Sequence, residues 1–253
     1  MYQFFVEDAQ VGPAEIVITG SDVNHIGNVL RMKPGEKIRI SDTSGRAYFC
    51  HVKQITADLV TAVIDETDEQ GTELKNRLVL YQGLPKSDKM ELIIQKAVEL
   101  GASRIVPVAM KNCVAKLEPK KAESKVKRWQ AIAESAAKQS KRTRIPEIAL
   151  PLTWKEALKE ACDLDLVLVP YENERGMAAT REVIRNIKPG QSVGIMIGPE
   201  GGFAADEIAS IEKANEAGEA TEKVYKISLG RRILRTETAG LATLAMLVYE
   251  LDE

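Results

Sequence analysis

Two glycine-rich turns late in the sequence, IGPEGG (Ile197 to Gly202) and SLGRRILRTETAG (Ser228 to Gly240), each follow a short apolar run and precede a helical pattern. Glycine lets a backbone bend tightly and come close to a bound molecule, and the unpaired amides at a helix start can bond its polar atoms. The turns lie about thirty residues apart, the size of a βαβ unit, so neighbouring parallel strands could carry both at one edge of a sheet. Open α/β sheets bind ligands at that carboxyl-end edge.

The pattern on either side divides the chain in two. Short β segments are expected at Gln3 to Val6, Glu15 to Ile18, Lys37 to Ser41, Ala47 to Ile55 and Leu59 to Ile64, with a helical rhythm only at Asp22 to Arg31. A small β-barrel is the natural arrangement. The acidic stretch Asp65 to Thr72 lacks apolar periodicity and reads as a linker, giving domains at 1–72 and 73–253. Beyond it, strands at Leu78 to Gln82, Arg104 to Ala109, Leu164 to Pro170, Ser192 to Ile197 and Lys223 to Ser228 alternate with helices. The helices are expected at Ser87 to Leu100, closed by Gly101, at about Pro119 to Gln139, at Thr153 to Glu160, at Ala205 to Ala217 and at Thr236 to Glu250. Thr153 and Glu156 have the spacing of a capping box. Alternation of this kind predicts an α/β domain with a parallel sheet covered by helices.

Charge narrows the choice of partner. Residues 1–72 hold six Lys or Arg against eleven Asp or Glu, whereas residues 111–146 hold eleven against three and end in the run KQSKRTR. Such a stripe is either a solvated helix face or a contact for a polyanion, and the clustering favours nucleic acid. With 44% hydrophobic residues, no apolar run of membrane-span length and no secretion signal in MYQFFVEDAQ, a cytoplasmic protein is expected. Cys50, Cys113 and Cys162 are widely spaced and joined only by His25 and His51, so neither a disulfide framework nor a metal site is expected.

The glycine turns match no phosphate cradle: GxxxxGK with Ser or Thr is absent, and IGPEGG lacks the GxGxxG spacing. A nucleoside without phosphate fits better, its ring held between apolar residues such as Ile197, Leu229, Ile233 and Leu234. The carboxylates near this pocket are Glu172, Glu200 and Glu237.

Five segments in register resemble the RsmE family of small-subunit ribosomal RNA methyltransferases, within the SPOUT class. They are HIGNVLRMKPGE (His25 to Glu36), KSDKMELIIQKAVELG (Lys86 to Gly101), RWQAIAESAAKQSKR (Arg128 to Arg142), IGPEGGF (Ile197 to Phe203) and LGRRILRTETA (Leu229 to Ala239). One departure is Gln3, where the family often has arginine. The resemblance implies a PUA-like β-barrel followed by a trefoil-knotted α/β domain. It implies a homodimer that uses S-adenosyl-L-methionine to methylate N3 of a uridine in 16S ribosomal RNA. The donor would then lie among three loops, held by Val169, Tyr171 and Glu172, by Ile197, Gly198, Pro199, Glu200, Gly201 and Gly202, and by Ser228, Leu229, Gly230, Ile233 and Leu234. Arg232 and Arg235 are the candidates to stabilise charge on the uracil, and either Glu237 or Glu200 to take its proton or place it, with bulk water as the alternative acceptor. Arg31, Lys86, Lys138, Lys141, Arg142 and Arg144 are the expected RNA contacts. Ribose 2′-O methylation by other knotted enzymes needs an asparagine and arginine signature at the start of the domain, where this chain reads QGLPKSDKMELII.

Overall fold

The computed structural model describes residues 1–69, 71–115, 117–217 and 223–252. They form two units, one of Met1–Glu73 with Ala137–Ile145, the other of Leu74–Ala136 with Pro146 onward.

In the first unit, strands β1 (Tyr2–Val6), β2 (Glu15–Ile18), β3 (Lys37–Asp42), β4 (Ala47–Ile55) and β5 (Val60–Asp68) make a sheet in the order β1-β3-β4-β5-β2. Ile16, Ile18, Ile38, Ile40, Val52 and Val60 are buried together on one side, with Phe4 and Ile26. The expected helix at Asp22 to Arg31 is shorter: α1 (Ser21–Asn24) passes into a wide turn at His25–Val29, where the Leu30 amide bonds the His25 carbonyl, and Arg31 ends it at φ 53°. The acidic stretch is not all linker. β5 runs on to Asp68, paired in register with Ala47, because buried Arg39 holds the Asp68 carboxylate. Gln70, in the same stretch, lies outside the described residues.

The segment 137–145 spans the end of α3 (Pro119–Ser140) and the residues after it, where Lys141 takes the left-handed conformation at φ 64°. It is stitched into this unit by side chains that the sequence offered as RNA contacts. Buried Gln3 donates to the Arg142 carbonyl and Arg39 to that of Lys141, so the glutamine in place of the family's arginine is a tie within the fold. The Arg142 side chain, 5% exposed, binds Glu73, whose Oε1 also accepts the amides of Thr143 at 2.9 Å and Arg144 at 3.2 Å. Burial works to raise the Glu73 carboxyl, but Arg142 and these amides outweigh it and hold it below the usual carboxylate range.

The second unit is built on β6 (Arg77–Gly83), α2 (Lys89–Glu99), β7 (Arg104–Ala109), most of α3, β8 (Glu147–Ile148), β9 (Leu152–Thr153), α4 (Trp154–Ala161), β10 (Leu166–Pro170), α5 (Ala178–Arg185), β11 (Ser192–Ile197), α6 (Ala205–Ala217), β12 (Val224–Ile227) and α7 (Thr236–Leu251). The strand order is β12-β10-β11-β6-β7-β8, with β9 also on β7, and every pairing is parallel. The central strands are apolar runs because both faces are covered. Val79, Tyr81, Val106, Val108, Val167, Val169 and Met196 pack with Ala157, Ala161, Ile208 and Ile211, while α7 lies against α2, β6 and β11. The capping box of α4 forms as expected, with the Thr153 amide on Glu156 Oε2 at 2.9 Å. Helix α5 was not legible: Thr180 and Ile184 are its buried residues, too sparse a stripe to show periodicity. Among the described residues no helix is long and apolar enough to cross a membrane.

Two glycines set how closely the elements meet. A Cβ on Gly83, at the end of β6, would lie 2.7 Å from Pro199 N and 2.9 Å from Ile197 O, and one on Gly240 would touch Gln82, Ile197 and Leu80.

Two variants test these contacts. Glu73→Gln should lower stability at neutral pH by about 2 kcal/mol, since it removes the Glu73 charge from the buried Arg142 guanidinium. The folded carboxyl lies below its unfolded value, so this stabilisation is full above a pH of about 4.3 and is lost as pH falls through the folded value. Thermal midpoints of wild type and variant should therefore converge in acid; a gap that widens there contradicts the pairing. Gly83→Ala forces the β6 end away from backbone atoms that cannot yield, at a cost of about 1–3 kcal/mol in urea unfolding.

Candidate active site

The carboxyl ends of β10, β11 and β12 open into a cleft of about 360 Å³. The two glycine turns sit on the same sheet edge but not on neighbouring strands, because β10 lies between β11 and β12. The loop after β10 therefore enters the cleft between them, supplying Tyr171 and Glu172.

The loop after β12 is fixed at both ends by threonine hydroxyls. At its start Thr180 Oγ1, on α5, donates to the Ser228 carbonyl at 3.0 Å and accepts from the Ser228 amide at 3.1 Å. At its end Thr236 Oγ1, on the first turn of α7, donates to the Gly198 carbonyl at 2.7 Å and accepts from Gln82 Nε2 at 2.8 Å. Between these ties Gly230 turns at φ 101°, and among the described residues the amides of 231–234 find no acceptor in the chain. On the opposite wall the Gly198 turn is closed by the Gly202 amide on the Pro199 carbonyl, and Asn112 Nδ2 bonds the carbonyls of Gly201 and Gly202.

Of the residues expected to hold a ligand, Tyr171, Glu172, Ile197, Gly198, Pro199, Glu200, Gly202, Ser228, Leu229, Gly230, Ile233 and Leu234 line the cleft. Val169 does not: it is fully buried in the sheet core. Gly201 is also turned to Asn112, whose Cβ and carbonyl would lie 3.0 and 3.2 Å from any Cβ placed on it. Ile233 lines the mouth at 87% exposure, so it is a rim residue and not a buried ring contact. Arg232 and Arg235 line the cleft and are exposed.

Lys89, Arg175, Phe203 and Thr236 line the cleft without having been singled out from sequence. Lys89 is the most consequential. Its Nζ lies 3.0 Å from Glu200 Oε1 and 3.2 Å from Glu237 Oε2, and Glu200 first, with Glu237 after it, holds the ammonium above its ordinary range against the opposing effect of burial. Burial works to raise Glu200, but its own amide, Lys89 and the Lys86 amide at 3.1 Å hold it below the carboxylate range. Glu237 itself does not line the cleft; it reaches the site through Lys89.

The basic residues divide. Arg31 and Lys86 have exposed side chains. Arg142 is a correction to the expected RNA surface, being buried on Glu73, and Lys138 pairs with Asp22 while Lys141 Nζ bonds the Met1 carbonyl. Arg144 is exposed but bonds the Ser44 carbonyl across the Gly45 turn.

Known proteins agree with this geometry. Residues 72–248 match the family model of an RNA methyltransferase domain, and residues 18–65 that of an RNA methyltransferase PUA domain. The chain is 35% identical to ribosomal RNA small subunit methyltransferase E of Bacillus subtilis, over 100% of its own length and 98% of the relative's. It superposes on a crystal structure of a hypothetical protein with a TM-score of 0.89 at 33% identity, covering 99% of this chain and 98% of that one. Against the Neisseria gonorrhoeae ribosomal RNA small subunit methyltransferase E bound to S-adenosyl methionine the TM-score is 0.82 at 28% identity, over 98% and 97% of the two chains. A parallel-sheet unit with a looped cleft, preceded by a PUA-like sheet and matched along its whole length, belongs to the ribosomal RNA small subunit methyltransferase E family.

Proposed function

We propose that the protein methylates N3 of a uridine in small-subunit ribosomal RNA with S-adenosyl-L-methionine as donor, acting as a homodimer in the cytoplasm. The observation that carries this reading is the cleft at the ends of β10, β11 and β12, walled by three loops and edged by exposed arginines.

The residues present suit that donor. The cleft has the size of a small-molecule site, Ile197, Leu229 and Leu234 offer apolar surface, and the amides of 231–234 offer donors that the fold leaves unused. Gly198 leaves the turn only as much room as it needs, since a Cβ there would come 3.2 Å from the Gly202 carbonyl carbon. Bound there, S-adenosylmethionine supplies an electrophilic methyl group.

The chain's own residues act on the uracil. N3 carries a proton at neutral pH, and its loss places negative charge on the ring oxygens, which Arg232 and Arg235 stabilise as fixed cations at the rim. Glu200, held ionised by its donors, is poorly matched to accept that proton at neutral pH. Glu237 stands outside the cleft lining and is paired with Lys89, so its role is to orient the base through that ammonium. Of the expected RNA contacts, Arg31 and Lys86 are exposed with no ion pair among the described residues, which leaves them available to the RNA backbone.

Nucleoside mass spectrometry of small-subunit ribosomal RNA incubated with the purified protein and donor should show 3-methyluridine. A 2′-O-methylated nucleoside, or none, would refute the assignment. Arg232→Ala should lower kcat by about 10²-fold or more, the usual loss for a group that meets developing charge. Donor affinity by calorimetry should stay within about threefold of wild type, and parallel loss of both would remove Arg232 from the uracil.

A further inference from the structure

We infer that Lys89 is a positioning residue that clamps the donor cleft by bridging Glu200 and Glu237. This rests on the reading of the cleft given above. The three groups come from three separate parts of the unit: Lys89 opens α2, Glu200 lies in the turn after β11, and Glu237 is in the first turn of α7. One carboxylate therefore sits on the turn after β11 and the other on the start of α7, and one ammonium lies within 3.2 Å of both.

Two features make the bridge more than a surface ion pair. Its members are withdrawn from solvent, with side-chain exposures of 29% for Lys89, 26% for Glu200 and 17% for Glu237. Glu200 is also bound by the Lys86 amide at 3.1 Å, so the loop leading into α2 grips the β11 turn twice. Without Lys89 two like charges would meet at one edge of the cleft with no cation between them, and the turns carrying them would be pushed apart. The neighbouring tie through Thr236 acts deeper, on the Gly198 carbonyl, and does not neutralise either carboxylate.

Calorimetry with S-adenosylmethionine and no RNA tests the clamp. Lys89→Met should weaken donor binding by about tenfold, while Lys89→Arg, which keeps a cation that can bridge two carboxylates, should stay within about threefold. Lys89→Met/Glu237→Gln should recover part of the loss, since it removes one of the two facing charges. All three should unfold in one cooperative transition, and RNA affinity without donor should be unchanged. Wild-type affinity in Lys89→Met overturns the clamp alone. So does a loss in Lys89→Met that neither Lys89→Arg nor the double variant relieves. A wild-type protein that binds no donor overturns the functional reading, and the clamp with it.

Discussion

The Thr236 hydroxyl is the contact on which the cleft depends. It is 6% exposed and serves two strand ends at once, accepting from Gln82 at the end of β6 and donating to Gly198 after β11. Removing it would take from the Gly198 carbonyl its bond to Thr236 and leave Gln82 Nε2 with the Gly83 carbonyl, at a cost of about 1–3 kcal/mol for a buried group left unsatisfied. Its position also explains why the loop before it is long and irregular. β12 is the outermost strand, and α7 must begin beside β6, three places further along the sheet. Strands lie about 4.8 Å apart, so the backbone from Ser228 to Arg235 has to cross the ends of β10 and β11. A segment that crosses open strand ends cannot join the ladder, and its amides stay available to a bound molecule.

The same logic separates the arginines and lysines that fold the protein from those that can meet a substrate. Arg39, Arg142 and Lys138 have carboxylates on Asp68, Glu73 and Asp22 and are at most 23% exposed in their side chains. Arg232 and Arg235 are exposed at the cleft, and among the described residues no ion pair holds them. A cation already paired in a partly buried site would have to surrender that partner before binding phosphate, at a cost larger than most phosphate contacts return. The basic stripe 111–146 is thus two things: its end is structural glue for the first unit, and the exposed remainder of α3 keeps its charge in solvent.

Much of this was legible in the residues. Apolar runs such as LVLYQ and LVLV, long enough for strands and bounded by helix signals, placed the parallel sheet, and Gly101 and the Thr153–Glu156 pair marked helix ends through purely local chemistry. The glycine turns located the cleft because the need for tight backbone is written in the residue type. What failed to show were features set by distant partners. Asp65 to Thr72 has the composition of a linker, yet Arg39 draws Asp68 into β5. The run KQSKRTR has the composition of an RNA surface, yet Glu73 takes Arg142 inward. The order of β10 between β11 and β12 left no local trace either, although it decides which loops share the site.

Lys89 belongs to that second group, and the reason is topological. It stands more than a hundred positions before Glu200, in a segment whose spacing announces only an amphipathic helix. Because β6 pairs with β11, the start of α2 emerges at the sheet edge where the IGPEGG turn lies, and Gly83 brings the backbones within contact of Pro199. α7 then packs on α2 and delivers Glu237 to the same place. The first and last helices of the strand-helix alternation that encloses the cleft thus meet at one ammonium. Glu200 meets Lys89 through the pairing of β6 with β11 and Glu237 meets it through the packing of α7 on α2, so the charge pattern of the cleft is completed by long-range contacts and not by any local segment.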